Sequence, residues 1–139
     1  MKSDPNCVFC RIVAGEIPCF KLCEDDRTLA FMDVNPAAPG HALVIPKAHH
    51  VDLFVMPEAL LAACAATAKT VASAVHETLA PDGLNLVQAN GPGAAQSVPH
   101  FHVHVLPRRK DDELYLNWEL EPGDRDEIAA LADRIKANL

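Results

Sequence analysis

Three histidines alternate with apolar residues in the run Val98-Pro99-His100-Phe101-His102-Val103-His104-Val105-Leu106-Pro107. Alternation with a period of two predicts a β-strand with one polar face and one buried face. The apolar residues are then expected in the core, and the three histidines on the opposite face. With a rise of about 3.3 Å per residue, neighbouring histidines lie about 6.6 Å apart and the outer two about 13 Å apart. Because metal–nitrogen bonds are about 2.0–2.1 Å long, one ion is not expected to bind all three.

The composition limits the classes of protein to which the chain can belong. Its 139 residues, 50% of them hydrophobic and 22% charged, are enough for one domain with a buried core. The formal net charge of -7 argues against a broad nucleic-acid-binding surface, because such binding requires Lys and Arg to neutralise phosphates. It does not exclude a small phosphate ligand. No run approaches about 18 consecutive apolar residues, and the N-terminus lacks a signal-type segment, so we expect a cytoplasmic protein without a membrane partner.

The C-x-x-C motif at Cys7-Val8-Phe9-Cys10 has three interpretations. It is half of a zinc site, a redox pair or two buried thiols, and the odd count of five cysteines favours reduced thiols or metal ligands over disulfides. No thioredoxin-like strand precedes the motif, so a redox pair is least favoured. A zinc site needs two further ligands from elsewhere in the chain. His49 and His50 follow a predicted strand and are candidates, although paired surface histidines are commoner.

The remaining pattern predicts an α+β fold with an antiparallel sheet of about five strands. Four further strands are predicted, over residues 20–23, 28–32, 41–46 and 84–90. One long helix is predicted over residues 57–79, with Pro57 at its first helical position, and a short helix is expected before Gly15. A C-terminal docking helix is predicted to begin at Asp124, with Glu127 completing a capping box. His41 and His76 have no neighbouring motif and are interpreted as structural or solvent-facing.

Two loops bring polar groups towards the histidine strand. Asp33 ends a strand beside a loop with two prolines and a glycine, and its composition alone favours a turn-forming aspartate over a ligand contact. Residues 91–97 form a small-residue loop whose backbone N–H groups can approach an anion. Gln96 and Ser97 add two side-chain donors to that loop. Such a loop is also an ordinary hairpin connection, and it becomes informative only beside the histidines.

Three uses of the histidine row are open at this point. An exposed strand decorated with histidines is disfavoured because three of them share one register. A zinc hydrolase would use His102 and His104 to activate water, but the sequence marks no third ligand. A nucleophilic imidazole, with a reference pKa of about 6.5, is largely neutral at pH 7 and can attack phosphorus. Its other ring nitrogen must then be oriented by a carbonyl or a carboxylate.

The chain resembles the histidine triad (HIT) family of nucleotide hydrolases and transferases, in its bacterial zinc-containing form. The resemblance extends from Cys7 to about Arg108 and ends in H-F-H-V-H-V-L, which fits the family's defining motif H-φ-H-φ-H-φ-φ, where φ is apolar. It also rests on C-V-F-C with I-V-A-G-E-I-P, A-F-M-D-V-N-P, G-H-A-L-V-I-P-K, G-L-N and Q-S-V. It implies a HIT-like fold and a homodimer. We expect a single HIT domain over residues 1–139, with a core at about 7–109 and a C-terminal extension and helix at about 110–139.

The resemblance implies an enzyme that cleaves a nucleoside phosphoramidate or a dinucleoside polyphosphate at the α-phosphorus. His102 would form a covalent nucleotidyl intermediate, which water would release as a nucleoside monophosphate. His104 would contact the phosphate, and Ser97 and Gln96 would address the phosphates and the leaving group. Binding of a purine nucleotide would use Asp33 on the ribose hydroxyls, contrary to the turn interpretation, and the apolar positions Phe9, Ile12, Phe31 and Val34 around the base.

Two departures from the family pattern affect the expected phosphate contacts. The family has Asn or Gln where this chain has Ala89, so Gln88 or Asn90 would have to supply the amide contact. It also has Gly where this chain has Ala95. These departures motivate an alternative, a nucleotide-binding regulatory or scaffold protein with weak or no turnover. His104 stands where the nucleotidyltransferase branch has glutamine, which favours hydrolysis.

The resemblance also implies a structural zinc ion bound by Cys7, Cys10, His49 and His100. A Cys2His2 set has the closed coordination of a structural zinc site rather than an open catalytic one. His50 is adjacent to His49 and is the alternative fourth ligand. The zinc-dependent hydrolase that uses His102 and His104 is kept as a second alternative.

Overall fold

The computed structural model describes residues 1–116 and 118–139. Within them, five strands form one antiparallel sheet in the order β1-β2-β3-β5-β4. The strands are β1 (Lys21–Glu24), β2 (Thr28–Met32), β3 (Ala42–Pro46), β4 (Gly83–Gln88) and β5 (Val103–Arg108). The α-helices are α1 (Val8–Val13), α2 (Glu58–Leu79) and α3 (Arg125–Lys136). The predicted α+β fold, with one long helix and two shorter ones, is confirmed.

The central strands are buried on both faces. All five residues of β3 are buried, because Ala42 and Val44 face α2 while Leu43 and Ile45 belong to a second core cluster with α1. A strand covered on both sides is expected to be continuously apolar, and β3 has this character. The small residues Cys64 and Ala68 lie in the core on the inner face of α2, and small side chains let a helix approach the sheet closely.

The histidine run is a strand over only part of its length. β5 begins at Val103, so His100 and His102 precede it and only His104 lies within it, paired with Leu43 on β3. The predicted single strand from residue 98 is therefore wrong at its N-terminal end. The Phe101 N–H donates to the carbonyl of His50, at 2.7 Å, instead of joining the sheet.

The alternation of the run is nevertheless the predicted one. Phe101 and Val105 are 1% and 0% exposed in the core beneath α2, with Val103 packed beside them. Two of the histidine rings are close together on the opposite side, since the ring centroids of His102 and His104 lie 4.9 Å apart. The buried apolar residues therefore determine the face on which the imidazoles lie.

The helix ends differ slightly from the sequence prediction. Pro57 is the N-cap residue of α2 rather than its first helical residue. The predicted N-cap of α3 is confirmed, because the Asp124 carboxylate accepts a hydrogen bond from the Glu127 N–H at 2.9 Å; the return bond from the Glu127 side chain that completes a capping box stays a prediction. No residue of α3 is buried among the described residues, and its apolar side chains Ile128, Leu131 and Ile135 are 51–58% exposed.

In the part of the chain that the structure describes, one helix, α2, is long and apolar enough to cross a membrane when judged by length and composition alone. This is weak evidence for a membrane span, because the core helix of a sheet-and-helix protein has the same length and composition. Twenty-eight per cent of its most apolar window is buried inside the chain.

The burial of Phe101 predicts a large effect on stability. Phe101→Ala should lower the free energy of unfolding by about 3–5 kcal/mol, because it removes a buried ring and leaves a cavity. Phe54→Ala is the matched control, since that ring is 84% exposed and its loss should change stability by less than about 0.5 kcal/mol. Urea denaturation followed by circular dichroism measures both values. Equal losses for the two variants would contradict the assigned core.

Candidate functional site

A cavity of about 530 Å³ opens on the α1 side of the sheet. This volume lies within the range of about 300–1,000 Å³ that is usual for small-molecule sites. Its wall combines α1, the end of β2 with the loop that follows, the start of β3, and the segment leading into β5. It is lined by Val8, Phe9, Ile12, Ile17, Pro18, Cys19, Phe31, Met32, Asp33, Val34, Asn35, His41, Leu43, Ser97, Val98, His102 and His104.

The cavity brings together eight of the ten residues predicted to act in catalysis or nucleotide binding. These are Phe9, Ile12, Phe31, Asp33, Val34, Ser97, His102 and His104. The other two, Asn90 and Gln96, are not among its lining residues. Sequence reasoning missed His41 and much of the apolar wall.

The side chains of Asn90 and Gln96 hold the small-residue loop in shape. The Gln96 amide accepts a hydrogen bond from the Gly91 N–H at 2.8 Å and donates to the carbonyls of Val51 and Val98, at 2.6 and 3.1 Å. Asn90 accepts from the Leu53 N–H at 2.8 Å. Both amides therefore connect the loop to itself and to residues 51–53, and their contact with a ligand stays a prediction.

The loop contains a strained residue at Ala95. Its φ of 58° is in the left-handed region, which costs a residue with a Cβ about 1–2 kcal/mol. The N–H groups of Ala95 and Gln96 donate within the loop, to the carbonyls of Pro92 and Gly91. The expected approach of these two N–H groups to an anion would therefore require them to exchange partners.

A backbone hydrogen bond defines the tautomer of His102. Its Nδ1 lies 2.7 Å from the carbonyl oxygen of His100, and because a carbonyl only accepts, Nδ1 carries the proton. Nε2 of the neutral ring is then an unprotonated lone pair. Burial lowers the pKa of His102, while the bond to His100 and the charge of Asp33 partly oppose that shift. The ring is therefore neutral at pH 7 and nucleophilic at Nε2.

His41 and His104 have the opposite tautomer. The Ala37 N–H donates to Nδ1 of His41 at 3.0 Å, so His41 carries its proton on Nε2. That Nε2–H donates to Nδ1 of His104 at 2.8 Å, which leaves His104 with its own proton on Nε2. Burial, together with the neighbouring His102 and His41, lowers the pKa of His104 to about 4, and the charge of Asp33 partly opposes that shift. His104 is thus a neutral hydrogen-bond donor.

Of the two interpretations of His41, solvent-facing is wrong, whereas a structural role is consistent with its burial and its hydrogen bonds. His41 is 6% exposed and lines the cavity beside His104. The antiparallel pairing of β3 with β5 brings the two rings together, although they are 63 positions apart in the sequence. Its place in the G-H-A-L-V-I-P-K run was the available signal.

These tautomers argue against a zinc hydrolase built on His102 and His104. Nδ1 of His104 is occupied by His41, and its Nε2 carries a proton, so neither nitrogen offers a free lone pair. The group Asp33, His41 and His104 has metal-ligand side chains within 4.8 Å of one another. The Ala37 N–H nevertheless fixes the proton of His41 on the nitrogen that would have to bind the metal.

Asp33 serves both as a turn residue and as a cavity residue. One carboxylate oxygen accepts a hydrogen bond from the Asn35 N–H at 2.8 Å, as the turn interpretation requires. The other oxygen lies 3.5 Å from Nε2 of His41, in the wall of the cavity. An acceptor is therefore available to ligand hydroxyl groups on that side.

A second cluster consists of Cys7, Cys10, His49 and His100, all buried, with their ligand atoms within 4.8 Å of one another. Nδ1 of His100 lies 3.4 and 3.6 Å from the sulfurs of Cys7 and Cys10, and 3.2 Å from Nδ1 of His49. Its Nε2–H donates to the Pro46 carbonyl at 2.8 Å, so Nδ1 is free to face the thiols. Metal-ligating histidines commonly have this second bond, and two sulfurs with two imidazoles fit a closed four-ligand site.

The chain matches the HIT domain over residues 14–111. Among curated relatives, adenosine 5'-monophosphoramidase HNT1 of Saccharomyces cerevisiae is 38% identical over 137 residues, covering 98% of this chain and 84% of that protein. Adenylylsulfatase HINT3 of Arabidopsis thaliana is 39% identical over 115 residues, covering 83% of this chain. The match spans 58% of the length of that longer protein.

Solved structures share the fold. SMU.412c from Streptococcus mutans has a TM-score of 0.93 and 38% identity, covering 98% of this chain and 87% of that chain. A Zn-bound histidine triad family protein from Mycobacterium smegmatis has a TM-score of 0.74 and 41% identity, covering 95% of this chain and 97% of that chain.

The hydrogen bonds predict opposite tautomers for two histidines in one cavity. In ¹⁵N-histidine-labelled protein at pH 7, His102 should show a protonated Nδ1, and His104 should show a protonated Nε2. Long-range ¹H–¹⁵N correlation spectra measure both directly. His41→Ala should remove the donor to His104 and leave the His102 tautomer unchanged. A protonated Nε2 on His102 would contradict the assigned hydrogen bonds.

Proposed function

The chain belongs to the HIT domain family, and from this premise we propose that it hydrolyses adenosine 5'-phosphoramidates through a covalent intermediate on His102. The observation that carries the proposal is the lone pair on Nε2 of His102. The His102 side chain is buried, with 3% of the residue exposed, and it lines the cavity. Relatives named adenosine 5'-monophosphoramidase and adenylylsulfatase support this substrate class. The chain is a HIT-type nucleotide hydrolase.

The proposed reaction has two displacements at one phosphorus atom. Nε2 of His102 attacks the α-phosphorus, a nitrogen–phosphorus bond forms, and the bond to the leaving amine breaks as the amine takes up a proton from solvent. Water then attacks the same phosphorus, the bond from phosphorus to Nε2 breaks, and the proton lost by the water returns to solvent, so that adenosine monophosphate leaves and the lone pair is restored. During both steps the His100 carbonyl accepts from Nδ1–H and stabilises the positive charge that develops on the ring.

The other cavity residues are proposed to bind and orient the nucleotide. The Nε2–H of His104 would donate to a phosphate oxygen, and Ser97 lines the same region. The carboxylate oxygen of Asp33 that faces the cavity would accept from a ribose hydroxyl. The apolar wall from Phe9, Ile12, Phe31 and Val34 suits a purine ring. Asn90 and Gln96 are proposed to act through the shape of the loop.

A dinucleoside polyphosphate is the second proposed substrate, since attack at its α-phosphorus needs the same groups. The regulator with weak turnover is supported by Ala95, because loop N–H groups that are hydrogen-bonded internally are poor phosphate ligands. Turnover on the two substrates separates these possibilities.

We propose that the Cys7, Cys10, His49 and His100 cluster binds a structural zinc ion. The buried Cys2His2 donor set and the Zn-bound relative support this assignment. Zinc at this site would crosslink α1 to the segments that follow β3 and precede β5. All four positions are protein side chains, so the site is suited to a structural role.

A homodimer is proposed to form through the edge strand β4. The strand is six residues long, borders β5 on one side only, and has Leu86 53% exposed. The other edge strand, β1, has an irregular register at Lys21 and Cys23, and such irregularity protects an edge from pairing. A second copy of the chain paired along β4 would continue the sheet.

Removal of the proposed nucleophile should abolish turnover. His102→Ala should lower kcat for adenosine 5'-phosphoramidate by at least about a thousandfold, as expected when one member of a catalytic unit is lost. His76→Ala is the control, because His76 is exposed on α2, outside the cavity. Release of adenosine monophosphate, followed by chromatography, measures both rates. Full activity of His102→Ala would contradict the assignment.

A charge on β4 should disrupt the proposed dimer. Leu86→Glu should shift the chain to monomers, because each copy would bring a carboxylate into the apolar contact between the paired edge strands. Leu22→Glu is the control at the opposite edge, where the side chain is 46% exposed. Sedimentation velocity gives the mass of each. The interface is elsewhere if Leu86→Glu remains dimeric.

A further inference from the structure

We propose that the Cys7, Cys10, His49 and His100 cluster sets the nucleotide affinity of the cavity through α1. With metal bound, the cluster holds α1 as a wall of the cavity, and without metal α1 loosens and the nucleotide binds more weakly. This proposal rests on the proposed function, because it concerns the regulation of the same nucleotide site.

One short helix belongs to both the cluster and the cavity. Cys7 is the N-cap of α1 and Cys10 lies within it, while Val8, Phe9 and Ile12 of the same helix line the cavity. The helix has six residues, whereas isolated helices shorter than about 12–15 residues are marginal in water. The position of this wall therefore depends on the side chains that attach α1 to the rest of the chain.

The backbone does not attach α1 to the sheet. In the described part of the chain, the N–H groups of residues 7–17 that bond to backbone beyond the regular helix donate to carbonyls of residues 4–12. These bonds are therefore local and do not reach the sheet. The segment before α1 makes one backbone bond to a distant segment, from the His49 N–H to the Lys2 carbonyl at 2.8 Å, whereas α1 itself is attached by thiols and by apolar packing. Cys10 lies 3.4 Å from Nδ1 of His49, and Cys7 lies 3.4 Å from Nδ1 of His100. The cluster thereby joins α1 to two segments far away in sequence.

The same cluster adjoins the nucleophile. His100 supplies the ring that faces the thiols and also the carbonyl that holds Nδ1 of His102 at 2.7 Å. The Phe9 ring packs edge-on against both imidazoles, with centroids 5.7 Å from His100 and 5.3 Å from His102. Loosening α1 would therefore disturb the base wall and the packing beside the nucleophile together.

The core on the α2 face of the sheet is separate from α1, although the opposite face of β2 and β3 packs against that helix. The cluster of α2 with the sheet contains Val44, Cys64, Phe101 and Val105, and no residue of α1 belongs to it. Loss of metal should therefore act locally on α1 while α2 and the sheet remain folded. By thermodynamic linkage, nucleotide binding must tighten metal binding by the same factor by which metal tightens nucleotide binding.

The test compares adenosine monophosphate binding to zinc-loaded and chelator-treated protein by isothermal titration calorimetry. The dissociation constant should rise at least about fivefold on zinc removal, the lower end of usual coupling between sites. A second readout is the affinity of the protein for zinc, measured by competition with a chromophoric chelator. Adding adenosine monophosphate should raise this zinc affinity by the same factor. Hydrogen exchange should accelerate at residues 8–13 and stay unchanged in α2.

The variants use two buried thiols in different cores. Cys10→Ser in the presence of zinc should bind adenosine monophosphate as weakly as the chelated wild type. Cys64→Ser should keep the zinc dependence, because that thiol is also buried but lies on the inner face of α2, in the core that contains no residue of α1. If Cys10→Ser does not fold, the chelated wild type still provides the test.

The outcomes separate the two proposals. Equal nucleotide affinity with and without zinc overturns the coupling and leaves the proposed function intact. Unfolding of the whole chain on zinc removal also overturns it, because the predicted effect is confined to α1. Failure of adenosine monophosphate to bind in either state overturns the proposed function, and the coupling with it.

Discussion

The hydrogen bond from Nδ1 of His102 to the carbonyl of His100 is the interaction on which the chemistry of this site depends. It is 2.7 Å long and buried, and it fixes the proton on one side of the ring so that the lone pair faces the cavity. The carbonyl is itself held in place, since Phe101 is packed in the core and the His100 ring donates to Pro46. Core packing thus determines a tautomer, and the tautomer determines which atom is nucleophilic.

The alternating histidines differ because their surroundings differ. Burial lowers the pKa of His100 and His104 to about 4, so both are neutral, yet their protonated nitrogens have different partners. His100 donates to a backbone carbonyl and turns its lone pair towards two thiols. His104 accepts from His41 and keeps its proton on Nε2. One sequence pattern therefore contributes to a metal-type cluster, a proposed nucleophile and a hydrogen-bond donor.

The alternation of apolar residues in the strands and their helical periodicity in α2 were sufficient to predict these elements. Both patterns mark the side chains that must be buried, and the structure buries these side chains between α2 and the sheet. The start of β5 was not predictable, since the Phe101 N–H bonds to His50, a residue 51 positions away. Contacts of the same long range bring His41 to His104 and direct the Gln96 amide to Val51. Residue spacing also could not choose between His49 and His50. In the structure, the His49 ring is buried in the cluster, while the His50 carbonyl accepts from Phe101.

The central claim is that phosphorus becomes bonded to Nε2 of His102. Rapid acid-free quenching during turnover of adenosine 5'-phosphoramidate, followed by peptide mapping with mass spectrometry, tests it directly. The account predicts one adenylyl group per active chain, located on His102 and lost on further incubation with water. An adenylyl group on His104 or His41 would contradict it. So would steady turnover in which no adduct is found in samples quenched within the time of one turnover.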